Sequence, residues 1–161
     1  MHRVRYIRLD DGQGESFLDP REYVARLPEL GPRLPPGARE FATDPRHYDF
    51  SGRRCVKDLK LQAASPHGVD DFELRFKHNC FKHEEDLTIT YRGLRGIQMD
   101  VDTEADIEPF ALALDEVLPD PAGCRHEIAF WGGTIFVLAQ DLIATWTEAD
   151  CPDKPPATRP K

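Results

Sequence analysis

Apolar and polar residues alternate strictly through much of the second half of the chain. Phe72, Leu74 and Phe76 interleave with Glu73, Arg75 and Lys77. Leu87, Ile89 and Tyr91 interleave with Thr88 and Thr90, and Ile97, Met99 and Val101 with Gln98 and Asp100. Successive side chains of an extended strand point to opposite faces, so a period of two predicts strands with one buried and one wet face. Leu59 and Leu61 predict a strand before these, and Phe110, Leu112 and Leu114 one after. His126 to Trp131 and Thr134 to Trp146 predict the last two, joined by Gly132-Gly133, a strong two-residue hairpin signal. Ile135-Phe136-Val137-Leu138 is apolar on both faces, as in a central strand covered by a second layer. Gln140-Asp141 interrupts that run and predicts a bulge.

The first 54 residues are rich in Pro and Arg and read differently. Val4 to Leu9 predicts a short edge strand, followed by a turn at Asp11-Gly12. Asp19-Pro20 opens a helix with Asp as N-cap and Pro in its first turn; it runs to about Leu27 and stops before Pro28. Pro35-Pro36 starts a second short helix through Thr43, ended by Asp44-Pro45. Pro152, Pro155, Pro156 and Pro160 make residues 149–161 a disordered tail. The expected fold is mainly β, of the α+β class. It is an antiparallel sheet, sandwich or partly open barrel of about seven strands, with one or two short N-terminal helices. Residues 1–148 form a single domain, with 1–54 as its helical part and 55–148 as its β body.

Composition narrows the function. A chain of 161 residues with 40% hydrophobic and 31% charged side chains has the makeup of one globular domain. The longest apolar run, around Thr134 to Ala139, falls far short of the roughly 20 residues of a membrane helix. Met1-His2-Arg3-Val4-Arg5 lacks the apolar stretch of a signal peptide. The expected location is therefore cytoplasmic, with no membrane role and with Cys55, Cys80, Cys124 and Cys151 as thiols. The net charge of −8 argues against nucleic-acid binding, which needs a basic footprint. That charge is unevenly placed. Residues 1–54 carry ten cationic against nine anionic residues, and the remainder carries eleven against twenty.

Three groups of residues carry candidate chemistry. His78-x-Cys80-x-x-His83, with Cys124-x-His126, supplies the nitrogen and sulfur ligands that zinc takes in fours. The spacings are tighter than usual, and the same residues read equally as buried thiols and polar hairpin groups. Asp100, Asp102, Glu104, Asp106 and Glu108 place an acid at every second position. With Glu84, Glu85 and Asp86 they would form an acidic docking edge for a basic protein; the Ca²⁺-loop pattern fails at Ala105 and Ala111. Among Asp58, Asp115 and Glu116, one is expected to be a buried, paired carboxylate, with Lys57, Lys60 or Arg125 as its partner. Phosphate-loop, dinucleotide, nucleophile-elbow and HExxH patterns are missing, which ranks an enzyme last.

Three stretches carry a resemblance. They are His47-Tyr48-Asp49-Phe50-Ser51-Gly52 leading into Cys55 to Leu59, Asn79 to Leu87, and Leu114 to Pro119 followed by Gly123 to Ile128. Together they resemble small uncharacterised bacterial β-proteins. The strand–His–Glu–Ile–hairpin–Asp-Leu ending is similar to immunity proteins of bacterial toxin systems. The resemblance covers residues 47–146 and implies a β fold without a catalytic role. The expectation is a non-enzymatic binding domain, an immunity-type inhibitor presenting acid to a basic partner, without a cofactor. A small zinc protein is the alternative.

Overall fold

The computed structural model describes residues 8–10, 17–50, 52–103 and 108–150. The turn expected at Asp11-Gly12, the start of the first strand and the Pro-rich tail lie outside them. Strands β1 (Arg8–Asp10) and β2 (Phe17–Asp19) pair antiparallel as a small ribbon of their own.

Helix α1 spans Arg21–Leu30 and runs straight through Pro28, where the sequence predicts a stop. A proline costs the helix one backbone donor and crowds the carbonyl four residues back. Here Pro28 and Val24 lie on the exposed side, while Tyr23, Leu27 and Leu30 form one buried stripe. Burial of that stripe decides where the helix ends. A 3-10 turn at Gly31–Arg33 leads to α2 (Pro36–Thr43), whose limits agree with the proline signals at both ends.

Six more strands form one antiparallel sheet: β3 (Lys60–His67), β4 (Asp71–Lys77), β5 (Glu85–Val101), β6 (Leu112–Asp120), β7 (Gly123–Phe130) and β8 (Gly133–Glu148). Their order is β3-β4-β5-β8-β7-β6. The sheet curls. A bridge between Lys60 and Ala111, flanked by bonds from the Asp58 amide to the Leu112 carbonyl and from the Leu112 amide to the Leu59 carbonyl (2.8 Å each), brings its two edges together at one end. Phe76 of β4 and Phe130 of β7 stack across the interior with ring centroids 6.3 Å apart. The sheet is not closed into a barrel. Leu87, Ile89, Tyr91, Ile128, Ile135, Val137 and Leu142 line its buried face, and α1 and α2 cover part of that face as a second layer.

The hairpin turn between β7 and β8 is Trp131-Gly132 rather than Gly132-Gly133, since Phe130 faces Gly133. The inward positions of β8 change from odd (Ile135, Val137, Ala139) to even (Leu142) across Gln140-Asp141, yet β8 keeps its register with β5 there, so the bulge expected at that place is not found. The slip lies in β5, between Leu94 and Gly96, which face Ala139 and Leu138, beside Gly93 at φ 61.

The long strands β5 and β8 outrun their neighbours. They pair with each other along their whole length. β4 covers β5 only from Leu87 to Tyr91, and β7 covers β8 only from Gly133 to Ala139. Beyond those points, among the described residues, each long strand has a half-edge with no neighbouring strand.

Candidate functional site

A chain of buried polar groups joins the two layers. Asp115 on β6 has no exposed surface, and its two carboxylate oxygens each meet an imidazole. Nε2–H of His126, on β7, donates to Oδ2 (2.6 Å), and Nε2–H of His47, in the loop after α2, donates to Oδ1 (2.7 Å). The other nitrogen of His126 accepts from the Tyr91 hydroxyl (2.6 Å). The other nitrogen of His47 donates to the Phe41 carbonyl (2.9 Å). Both ring nitrogens of His47 and both of His126 thus have partners within the chain. Burial by itself would raise the Asp115 carboxyl. The His47 charge and the hydrogen bonds from both rings outweigh burial and hold it well below its ordinary value. Burial, with the Asp115 charge, pushes the Tyr91 phenol well above its own, so it remains a donor.

Two more bonds stitch the layers. Tyr48 donates to the Asp115 carbonyl (3.1 Å), and Tyr23 donates to the Val117 carbonyl (2.5 Å) while accepting from the Val117 amide (3.1 Å). An acid between two imidazoles has the makings of proton-transfer chemistry. Yet His47 is 2% exposed, His126 1%, and Asp115 and Tyr91 0%, so a substrate has no way to reach it. It is a cross-link within the core.

Directly outside this cross-link lies an open groove of about 650 Å³. One wall is α2 with the loop after it: Pro36, Gly37, Glu40, Phe41 and Asp44, continued by Arg46 and Arg54. The other is the half-edge of β8: Asp141 and Ile143 to Trp146. Phe41 separates groove from cross-link, its ring 4.2 Å from that of His47 between centroids. The walls meet at Gly37, where a Cβ would stand 2.0 Å from the Leu142 carbonyl oxygen; only glycine permits that approach. Prolines 35 and 36 have no amide hydrogens. The next two amides, of Gly37 and Ala38, donate to the Asp141 carboxylate (3.1 and 2.9 Å), which caps α2 from another strand.

The groove's charges are nearly all spent within the chain. Arg46 is held by Asp44 (3.1 and 3.2 Å). Arg54 forks onto Glu85 (2.5 and 2.8 Å) and lies 5.8 Å from the Trp146 ring centroid. Among the described residues Glu40 alone on these walls keeps an uncommitted charge.

The residues singled out for zinc are not brought together. The turn holding His78, Cys80 and His83 precedes Glu85, while Cys124 faces Ala139, which faces Leu94. Nine residues of β5 separate the two places, about 30 Å. His83 is committed, its Nδ1 accepting from the Asn79 amide (3.0 Å) and its Nε2–H donating to the Cys55 carbonyl (2.9 Å). His78 donates to Asp86 (2.7 Å). Cys80, expected as a thiol, is in a disulfide; Cys55 and Cys124 are free and buried. Among the described residues no group of His, Cys, Asp and Glu converges on a metal position.

Nor do the acids form one edge. Asp100 and Asp102 are exposed at one end of β5; Glu104 and Asp106 lie outside the described residues. Glu108 pairs with Lys60 (3.0 Å). Glu84 and Glu85 sit at the opposite end of β5, paired with Arg53 (3.4 Å) and Arg54. A buried, paired carboxylate does exist, Asp115, but its partners are histidines rather than Lys57, Lys60 or Arg125. Asp58 is the half-buried one, held by Lys82 (2.9 Å) and Lys57 (3.2 Å). Arg125 lies over Phe136, 4.4 Å from its centroid, and Glu127 is 3.5 Å away.

His47, Tyr91 and the groove residues escape a reading of the sequence. The signal available was a pair of polar residues at inward strand positions, Asp115 and His126, each flanked by apolar neighbours. Searches of protein-family models, of curated proteins and of solved structures find no match to the chain.

Proposed function

We propose that this chain is a non-enzymatic binding domain that engages a basic protein partner through the groove between α2 and β8. One observation carries the reading. The groove is open and part apolar, its arginines are already neutralised by the chain's own acids, and Glu40 is left unspent in a molecule of net charge −8. A cationic segment gains there, and an anionic one does not. The densest cluster of titratable groups is sealed, which supports binding over catalysis. The resemblance to immunity proteins agrees, since those act by occupying another protein.

The test is selection of random displayed octapeptides on the immobilised chain. Enriched sequences should be rich in Lys and Arg, and should bind more weakly to Glu40→Lys and Trp146→Ala. Their association rate should fall as salt is raised, because screening shortens to about 3 Å at 1 M. A selection that enriches nothing, or peptides indifferent to both substitutions, would overturn the reading.

A further inference from the structure

We propose that the partner's segment binds as an added β-strand, hydrogen-bonded along β8 from Ala144 to Glu148 with α2 as the opposite wall. The proposal rests on the groove being the binding surface and names how the groove binds.

Strand edges expose a row of unpaired N–H and C=O groups, and proteins normally blunt them with prolines, bulges or charges. This sheet follows that rule at three of its four open stretches. Edge strand β3 carries Pro66 and a register slip between Leu61 and Ala63. Edge strand β6 carries Pro119 and a slip between Leu112 and Leu114. The free half of β5 carries Gly93, Arg95 and a slip between Leu94 and Gly96. The free half of β8 has none of these. Leu142-Ile143-Ala144-Thr145-Trp146-Thr147-Glu148 contains no proline and no cation, and pairs in unbroken register with β5 from Tyr91 to Glu85. It is rich in β-branched and aromatic residues, and Ile143 is 44% exposed.

An antiparallel strand directs alternate residues' N–H and C=O groups to each side. Those of β8 that face away from β5 point to the side where β7 has ended. An edge strand with a helix across a groove from it is the arrangement in which extended peptides add to sheets. The occupant that fits is an extended segment alternating apolar residues with Lys or Arg, the apolar ones against Phe41 and Trp146 and a cation toward Glu40. The chain's own continuation is a poor strand, because Pro152, Pro155, Pro156 and Pro160 each lack a donor.

The probe is a heptapeptide alternating Lys/Arg with Val/Ile, acetylated and amidated, titrated into the full chain. Two further versions are N-methylated at alternate residues, one at the odd positions and one at the even. A peptide strand bonded on one side loses its donors in one version only. The expected result is weakening of at least about tenfold in one version and little change in the other. The amides of Ala144, Trp146 and Glu148, which face away from β5, should gain hydrogen-exchange protection. Ala144→Pro, which removes an amide facing away from β5, should abolish binding, and the N-methyl pair decides the matter should that variant fail to fold. Equal affinity of all three peptides, still sensitive to Glu40→Lys, would overturn strand addition and leave the groove as binding surface. No binding at low salt, or insensitivity to Glu40→Lys, would remove both. A concentration-dependent dimer lost in Ala144→Pro would assign the edge to a second copy. Peptide binding that emerges only after removal of residues 1–7 would assign it to the chain itself. Either result would overturn the proposal.

Discussion

Asp115 is a carboxylate with no exposed surface, held by His126 and by His47, which comes from a loop 68 residues away. Replacing one member of such a pair strands the other in a medium that cannot solvate it. Asp115→Asn should therefore destabilise the fold by about 3–5 kcal/mol. Denaturant midpoints at pH 7 check this. The pH dependence has a definite sign. A carboxyl held below its ordinary value adds stability above that value and loses it as pH falls toward the folded-state value. The wild-type midpoint should drop steadily below about pH 4, and Asp115→Asn should flatten that part of the profile. A parallel drop in both proteins would put the acid sensitivity elsewhere. The cysteines supply a second expectation. Burial pushes the Cys124 thiol up to about 12, with Asp141 and Asp120 adding to it, and burial likewise raises Cys55. Neither is a poised nucleophile. Iodoacetamide at pH 8 should leave both unmodified in the folded protein and label both after denaturation, as read by mass spectrometry.

At the scale of elements, α2 is defined by residues it does not contain. Its opening prolines offer no cap, and Asp141 supplies one from β8. Asp141→Ala should cost about 1–2 kcal/mol, the magnitude of a lost cap, and Asp141→Asn less. Gly37→Ala should destabilise, where glycine-to-alanine in a helix ordinarily stabilises by about 1 kcal/mol, because its Cβ meets backbone rather than a movable side chain. Thermal melts of the three variants give the ranking; Gly37→Ala melting at or above the wild type would break it. The same contrast explains what was legible in the sequence. The alternating stretches of the main sheet were, since alternation is local and the pleat converts it directly into faces; that residues 87–91 and 97–101 run on as the single strand β5 was not. The limits of α2 were legible too, but not the register slip, which falls on β5 at Leu94 to Gly96 rather than at Gln140-Asp141. The end of α1 was not, because a local proline penalty lost to burial of Tyr23, Leu27 and Leu30. Asp115 could be read as a buried carboxylate, but its partners could not. Nothing local marks His47 for a strand 68 residues on. The groove was invisible because it arises from unequal strand lengths, a property of pairing and not of any one strand.

At the scale of the whole molecule, the helical layer and the curled sheet share one core. Tyr23 reaches Val117, Tyr48 and His47 reach Asp115, and Phe41 packs edge-on against His126 at 5.8 Å. No helix among the described residues is long and apolar enough to cross a membrane. The Cys80 disulfide removes one ground for expecting a cytoplasmic protein, since such bonds persist mainly in oxidising compartments. Peptide mapping without reductant should find Cys80 oxidised and Cys55 and Cys124 free. Shared burial has its own consequence for unfolding. Strands that pack only on each other could outlast the helices, but here removing the helical layer with its loop would open Asp115, His126 and Tyr91 to water while taking His47 and Tyr48 from Asp115. The layers should therefore unfold as a unit, with helix ellipticity and tryptophan fluorescence tracing one coincident transition in denaturant. Trp146, on the groove wall, and Trp131, at the far turn of β8, report from opposite ends of that strand. His47→Ala should weaken the tie between layers and shift both probes together. Ellipticity lost ahead of fluorescence in the wild type would mean that the buried cross-link does not couple the layers, and that the sheet stands without them.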